Sequence, residues 1–224
     1  MHSGVSGLKF DYKCFRILVG EKWWHLKTKA KLGILFSTIP LTELRQDFAF
    51  IYNDNSLTRF PDIKKIKGQK YYPPLNQISN LTIAELAVAD DLYIKWRNTK
   101  DIECLYYLAA TLYVIQQQPR PPFDKNDLAF KGPLFKDLSM AELLTIELAF
   151  HGCKEYLAKK FTKAFPKGDD TKTTKTKSKP TSSQFPQLIL HLSGGKFGTH
   201  EQTGRTNCYT FLAEFENLLK EQKS

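Results

Sequence analysis

The chain has 224 residues, 42% hydrophobic and 13% aromatic, with a net charge of +10, enough apolar material for one buried core with or without an appendage. Its longest nearly apolar run, Tyr106 to Ile115, is half the ~20 residues of a spanning helix. The opening "MHSGVSGLKF" lacks an apolar signal core, so the composition excludes a membrane span and predicts a cytoplasmic protein.

The charge is unevenly placed. Residues 1–80 carry 13 Lys+Arg against 6 Asp+Glu, residues 81–166 carry 11 against 11, and residues 167–224 carry 9 against 6. A basic first third interleaved with aromatics, as in "EKWWHLKTKAK" at Glu21 to Lys31, is compatible with phosphate contacts and base stacking. The same residues also suit a hairpin arm with a wet outer face. Around Gly20, Phe15 to Val19 and Lys22 to Leu26 are β-prone, and Leu32 to Thr38 reads as a third short strand. A short helix follows, capped by Thr42, with Leu44, Phe48 and Ile51 on one face. "FPDIKKIKGQKYYPPLNQ", with three prolines and a glycine, reads as a connector.

From Leu81 the pattern becomes helical. Thr82 with Glu85 three residues on forms a capping box. Asp101 caps a second helix on which Leu105, Leu108, Ala109 and Leu112 recur at helical spacing, until the prolines of "QQQPRPPFD" stop it. The link "NTK" predicts that the two helices lie side by side. Asp124 caps a short helix ending at Lys131 to Pro133. Ser139 with Glu142 is a second capping box, opening the longest helix, about 25 residues or roughly 38 Å. Gly152, on its apolar stripe beside Phe150 and Cys153, predicts a closely packed neighbour.

Residues 167–184 contain no aliphatic or aromatic side chain beyond Pro and read as a disordered linker. "LSGGKFGT" at Leu192 to Thr199 has the look of a phosphate loop. Lys196, however, precedes Gly198 by two, and a Walker loop needs the lysine directly after its last glycine and a feeding strand. A turn with Gly194 or Gly195 as left-handed C-cap fits better. The last helix, from about Asn207, carries Cys208, Phe211, Leu212, Phe215, Leu218 and Leu219 along one face.

No reactive constellation stands out. Cys14, Cys104, Cys153 and Cys208 form no Cys-x-x-Cys pair, and His191, His200 and Cys208 merely adjoin across a turn, so no metal or cofactor is expected. Asp90 and Asp91 point ~100° apart on a helix. His151 reads as a packed or surface histidine, and no nucleophile has a catalytic context.

"LTIAELAVADDLYIKW", "TKDIECLYYLAATLY", "RPPFD", "AFHGC" and "LSGGKFGT" with "NCYTFLAEFENLLKEQ" together resemble a family of uncharacterised prophage-encoded proteins from bacterial tail and virion-assembly gene clusters, over roughly residues 75–165 and 185–220. The resemblance implies a small helical assembly factor that chaperones a tail component. The basic first 70 residues depart from it.

The expected fold is α+β, mainly α. Residues 1–74 form a basic region with short strands and a helix, and 75–166 a body of three or four helices. Residues 167–184 are the linker, and 185–224 a helix-turn-helix segment docked on the body. The functional expectation is a non-enzymatic protein-interaction factor whose partner-binding face is Phe211, Leu212, Phe215, Leu218 and Leu219. A nucleic-acid-binding accessory protein acting through the basic first region is the alternative.

Overall fold

Thr82 opens the first long helix of the body by the expected exchange: its hydroxyl accepts from the Glu85 amide (3.2 Å), and the Glu85 carboxylate accepts from the Thr82 amide (2.8 Å). Two backbone donors of the first turn are thereby satisfied, and helix α1 runs Ile83–Thr99. The computed structural model describes residues 56–165 and 181–221, together with positions 30, 34 and 38. The chain divides into two compact units, residues 1–54 and 55–224, and α1 belongs to the second.

Lys100, in the left-handed region at φ 59°, closes α1, and α2 (Glu103–Leu112) packs back against it. The Asp101 carboxylate accepts from the Glu103 amide (3.0 Å) at the start of α2. Helix α3 (Leu128–Lys131) leads into a 3-10 turn at Gly132–Asp137. Ser139 and Glu142 then make the second capping box for α4 (Met140–Lys160). That helix has 21 residues rather than about 25, because Phe161 (φ −111°, ψ 66°) leaves the helical region. Helices α5 (Phe185–Leu192), α6 (His200–Arg205) and α7 (Cys208–Glu221) complete the unit. A third capping box, Thr199 with Gln202, opens α6. The described structure is mostly helical, and pairing of extended segments is confined to isolated bridges.

Residues 56–74, expected as a connector, belong to the same packed unit. Phe60, Ile63 and Ile66 are buried, the Tyr113 hydroxyl donates to the Pro61 carbonyl (2.7 Å), and Tyr72 and Val114 exchange backbone hydrogen bonds (2.7 and 3.1 Å). Apolar residues spaced among lysines and prolines are enough to seat an irregular segment when its backbone groups find partners in the body. Gly152 meets the close neighbour expected for it, which is the backbone of Leu57.

Of the first region, Ala30, Ile34 and Thr38 are helical, and the Thr38 hydroxyl donates to the Ile34 carbonyl (2.8 Å). The strand expected at Leu32 to Thr38 is therefore corrected at the positions described there. A short apolar run does not distinguish strand from helix by its pattern. The other expected strands and the helix from Thr42 lie outside the described residues. So does most of the expected linker. Near its end Ser183 is buried, its amide donating to Asp91 Oδ1 (2.6 Å), while Thr181, Ser182 and Gln184 are exposed.

The carboxy-terminal helices are pinned to the start of α1. The Ile83 amide donates to the Thr206 carbonyl (2.9 Å), the Cys208 amide to the Leu81 carbonyl (2.9 Å), Asn207 Nδ2 to the Ser79 carbonyl (2.8 Å) and the Tyr209 hydroxyl to the Gln77 carbonyl (2.8 Å). One apolar core unites these pieces, with Phe135, Phe150 and Phe211 fully buried within it. Among the described residues no helix is long and apolar enough to cross a membrane.

Candidate functional site

The glycine-rich loop is closed by two of its own amides. The Gly194 amide donates to the Gly198 carbonyl (2.7 Å) and the Gly198 amide to the Gly195 carbonyl (3.0 Å). Gly194 (φ 86°) and Gly198 (φ 77°) adopt the left-handed backbone that such a turn requires. Lys196 pairs with Glu214 (2.6 Å), and Phe197 packs on Phe211 with ring centroids 5.2 Å apart. The loop fastens α5 to α7.

The five residues expected to bind a partner divide by depth. Phe211 and Leu212 are fully buried, whereas Phe215, Leu218 and Leu219 are half-buried. Leu212 and Phe215 also form one wall of a cleft of about 780 Å³ between α1, α4, α5 and α7. Its apolar lining includes Leu86 and Ile94 of α1, Leu157 of α4 and Leu188 of α5. Its polar lining is Asp90, Lys154, Glu155 and His191, with Ser182, Gln184 and Gln187. Concave apolar sites with a few converging polar groups are the usual form of a binding site, and this volume lies within their ~300–1,000 Å³ range.

Behind the rim lies a polar seam between α1 and α4. Asp90, Tyr93 and Arg97 fall at helical spacing on one helix and Glu147, His151 and Lys154 on the other, so each set makes one stripe. Lys154 forms an ion pair with Asp90 and lies over the Tyr93 ring, 4.7 Å from its centroid. Tyr93 Oη and His151 Nδ1 are 2.9 Å apart, and their rings stack at 9°. Arg97 reaches the fully buried Glu147 at 3.4 Å. Burial lowers the His151 pKa, with the Glu155 carboxylate opposing, and burial raises that of Tyr93 to about 12. The hydroxyl is therefore protonated at neutral pH, and the neutral imidazole can accept its hydrogen bond.

A second buried pair braces the unit away from the cleft. Arg120, carried by the proline-rich stretch after α2, donates to Glu85 (2.7 Å) and to the Thr111 and Leu112 carbonyls (3.2 and 2.9 Å). It closes the carboxy-terminal end of α2 with a cation, the sign that end favours.

The remaining candidates separate in space. Asp90 faces Lys154 while Asp91 holds the Ser183 amide, as adjacent helical positions require. His191 lines the cleft and His200 begins α6, whereas Cys208 is fully buried with its thiol directed at the Ile78 carbonyl (3.6 Å). Among the described residues no group of three or more His, Cys, Asp and Glu is placed to hold a metal ion. Sequence reasoning missed the cleft, whose lining draws on four helices, and the ion pairs of Lys154 with Asp90, Arg97 with Glu147 and Arg120 with Glu85, whose partners are far apart in sequence. No protein-family model matches this chain, and neither a curated protein nor a solved structure matches it.

Proposed function

We propose that this protein is a non-enzymatic interaction factor that takes an apolar segment of a partner protein into the cleft between α1, α4, α5 and α7. The observation that carries this reading is the cleft itself: about 780 Å³ of largely apolar concavity, walled by four helices that a single core holds in place. Supporting it, the titratable groups of the adjoining seam are engaged with one another, His151 with Tyr93 and Lys154 with Asp90. They act as structure at the rim. The resemblance to prophage tail-assembly proteins supplies the class of partner, a tail component held during assembly.

A photo-crosslinking side chain placed at Gln187, on the rim, tests this in cells that carry the neighbouring phage genes. The expected product is a single crosslinked protein, formed from Gln187 but not from the exposed Asp127 on the α3 side, and abolished by Leu188→Glu. Equal labelling from both positions, or a crosslink unaffected by Leu188→Glu, refutes the reading.

A further inference from the structure

We infer that the segment held in the cleft is an amphipathic helix whose polar flank carries lysine or arginine. This rests on the reading of the cleft as a protein-binding site. Two observations select the occupant.

The first concerns its backbone. An extended peptide binds by adding to an exposed sheet edge, with main-chain hydrogen bonds supplying affinity. Among the described residues the extended pairings are isolated bridges, and most of the cleft lining is helical, with Ala164, Phe165, Ser182 and Gln184 coming from the segments between α4 and α5. Helical walls present side-chain ridges and no row of free amides and carbonyls. Such a surface accepts a helix whose apolar side chains at i, i+3, i+4 and i+7 drop between those ridges. The side-chain amides of Gln184 and Gln187 at the rim can meet its polar groups.

The second concerns charge. Three charged side chains line the cleft, Asp90, Lys154 and Glu155. The lysine is already committed, paired with Asp90 and seated over the Tyr93 ring. Glu155 makes none of the ion pairs found among the described residues. Among the described residues, the lining of this mouth in a chain of net charge +10 thus carries two carboxylates against one ammonium group, and Glu155 is the carboxylate outside their pairing. Lys159 follows one turn later on the same helix, but it is exposed and outside the lining. A cationic flank on the occupant meets Glu155, and an acidic flank meets like charge beside a low-dielectric wall. At 0.15 M salt, screening over ~8 Å suppresses the general positive field of the protein and leaves contacts within the mouth.

The test uses the full chain and two fluorescent 16-residue peptides with the same Leu/Phe positions at helical spacing, one with lysine and the other with glutamate at every polar position. Binding is followed by anisotropy at 0.15 M salt. The lysine peptide is expected to bind about two- to fivefold more tightly, the scale of one well-placed ion pair. Glu155→Lys should erase or invert that preference while leaving the thermal melt unchanged, and Leu188→Glu should weaken both peptides. Equal binding of the two peptides, with no effect of Glu155→Lys, overturns the charge inference and leaves the protein-binding reading standing. Binding of neither peptide overturns both. If dodecylamine binds with the Glu155 dependence while the peptides do not, the cleft belongs to a small amphiphile and the inference falls. Retention of the lysine peptide by Leu188→Glu places binding outside the cleft and overturns it as well.

Discussion

Replacing Gly152 with alanine sets two effects of opposite sign against each other. Inside α4 the change should gain about 1 kcal/mol, because alanine loses less backbone entropy in a helix than glycine does. The added Cβ would overlap the Leu57 carbonyl oxygen and stand 2.8 Å from its carbonyl carbon and 3.1 Å from its amide nitrogen. Those atoms are backbone and cannot swing aside as a side chain would. The segment must move, and it is seated by the Gln77 amide on the Thr58 carbonyl (3.0 Å) and by the Cys153 thiol on that same carbonyl (3.4 Å). Two such bonds are worth about 0.5–1.5 kcal/mol each. Forcing a methyl group into packed space costs about 1–3 kcal/mol more. The net expectation is a loss of about 1–5 kcal/mol, or several degrees in melting temperature for a unit of this size.

Gly204→Ala is the matched control. Its Cβ would lie 3.5 Å from the Ala84 Cβ, an ordinary contact, so it should keep a gain of up to about 1 kcal/mol. Urea unfolding followed by far-UV circular dichroism reads both, and unchanged m-values keep the comparison valid. If Gly152→Ala is as stable as the parent, or more so, Leu57 does not approach the helix this closely.

Four further outcomes are expected. Arg120→Met should cost about 3–5 kcal/mol by leaving Glu85 buried without its cation, and adding Glu85→Gln should recover part of that in a double-mutant cycle; full additivity refutes the pairing. Glu147→Leu should raise stability or leave it unchanged, since a fully buried carboxylate whose ion pair among the described residues is a 3.4 Å contact to the exposed Arg97 gains less than its desolvation costs, and a loss above about 1 kcal/mol contradicts this. Cys153 and Cys208, fully buried with pKa values raised to about 12 by burial, should react with a disulfide reagent only at the rate of unfolding; rapid native labelling in a Cys14→Ser, Cys104→Ser background refutes it. Because the folded His151 pKa is depressed by burial, the unfolded chain takes up the proton first, so the stability held above pH ~6.5 is lost as pH falls from there toward the folded value. His151→Gln should flatten that acid slope, and an unaltered slope shows that His151 does not contribute to it.

What was legible in the sequence is what short-range chemistry decides. Thr82 with Glu85 and Ser139 with Glu142 announce helix starts because donor and acceptor lie three residues apart in any context. Gly152 announces a close approach because a glycine on an apolar helical stripe has few other reasons to be there. The spacing of Lys196 and Gly198 argues against a phosphate loop, and the structure adds where the amides go. The packing of residues 56–74 was not legible, since Phe60, Ile63 and Ile66 recur every third residue between Pro61, Asp62, Lys64 and Lys65, a spacing that is neither the alternation of a strand nor the i, i+3, i+4, i+7 pattern of a helix. Helix α6 was missed as well, although "THEQ" at Thr199 to Gln202 is a capping box of the same kind as those at Thr82 and Ser139.

The cleft was hidden for a different reason. Its apolar wall draws on Leu86 and Phe215 at opposite ends of the unit, and no window of sequence contains both. Its charge was hidden too, because residues 81–166 balance 11 basic against 11 acidic side chains. Neutrality counted along a chain is not neutrality at a surface. Asp90 and Lys154 lie 64 positions apart in numbering yet cancel each other across the seam, whereas Glu155, directly beside Lys154, lines the cleft outside any of the ion pairs of the described residues. Adjacent helical residues differ by ~100° in direction, and that angle allows one of two neighbouring charges to be spent internally while the other is left for a ligand. A binding preference can therefore sit in a segment whose composition shows none.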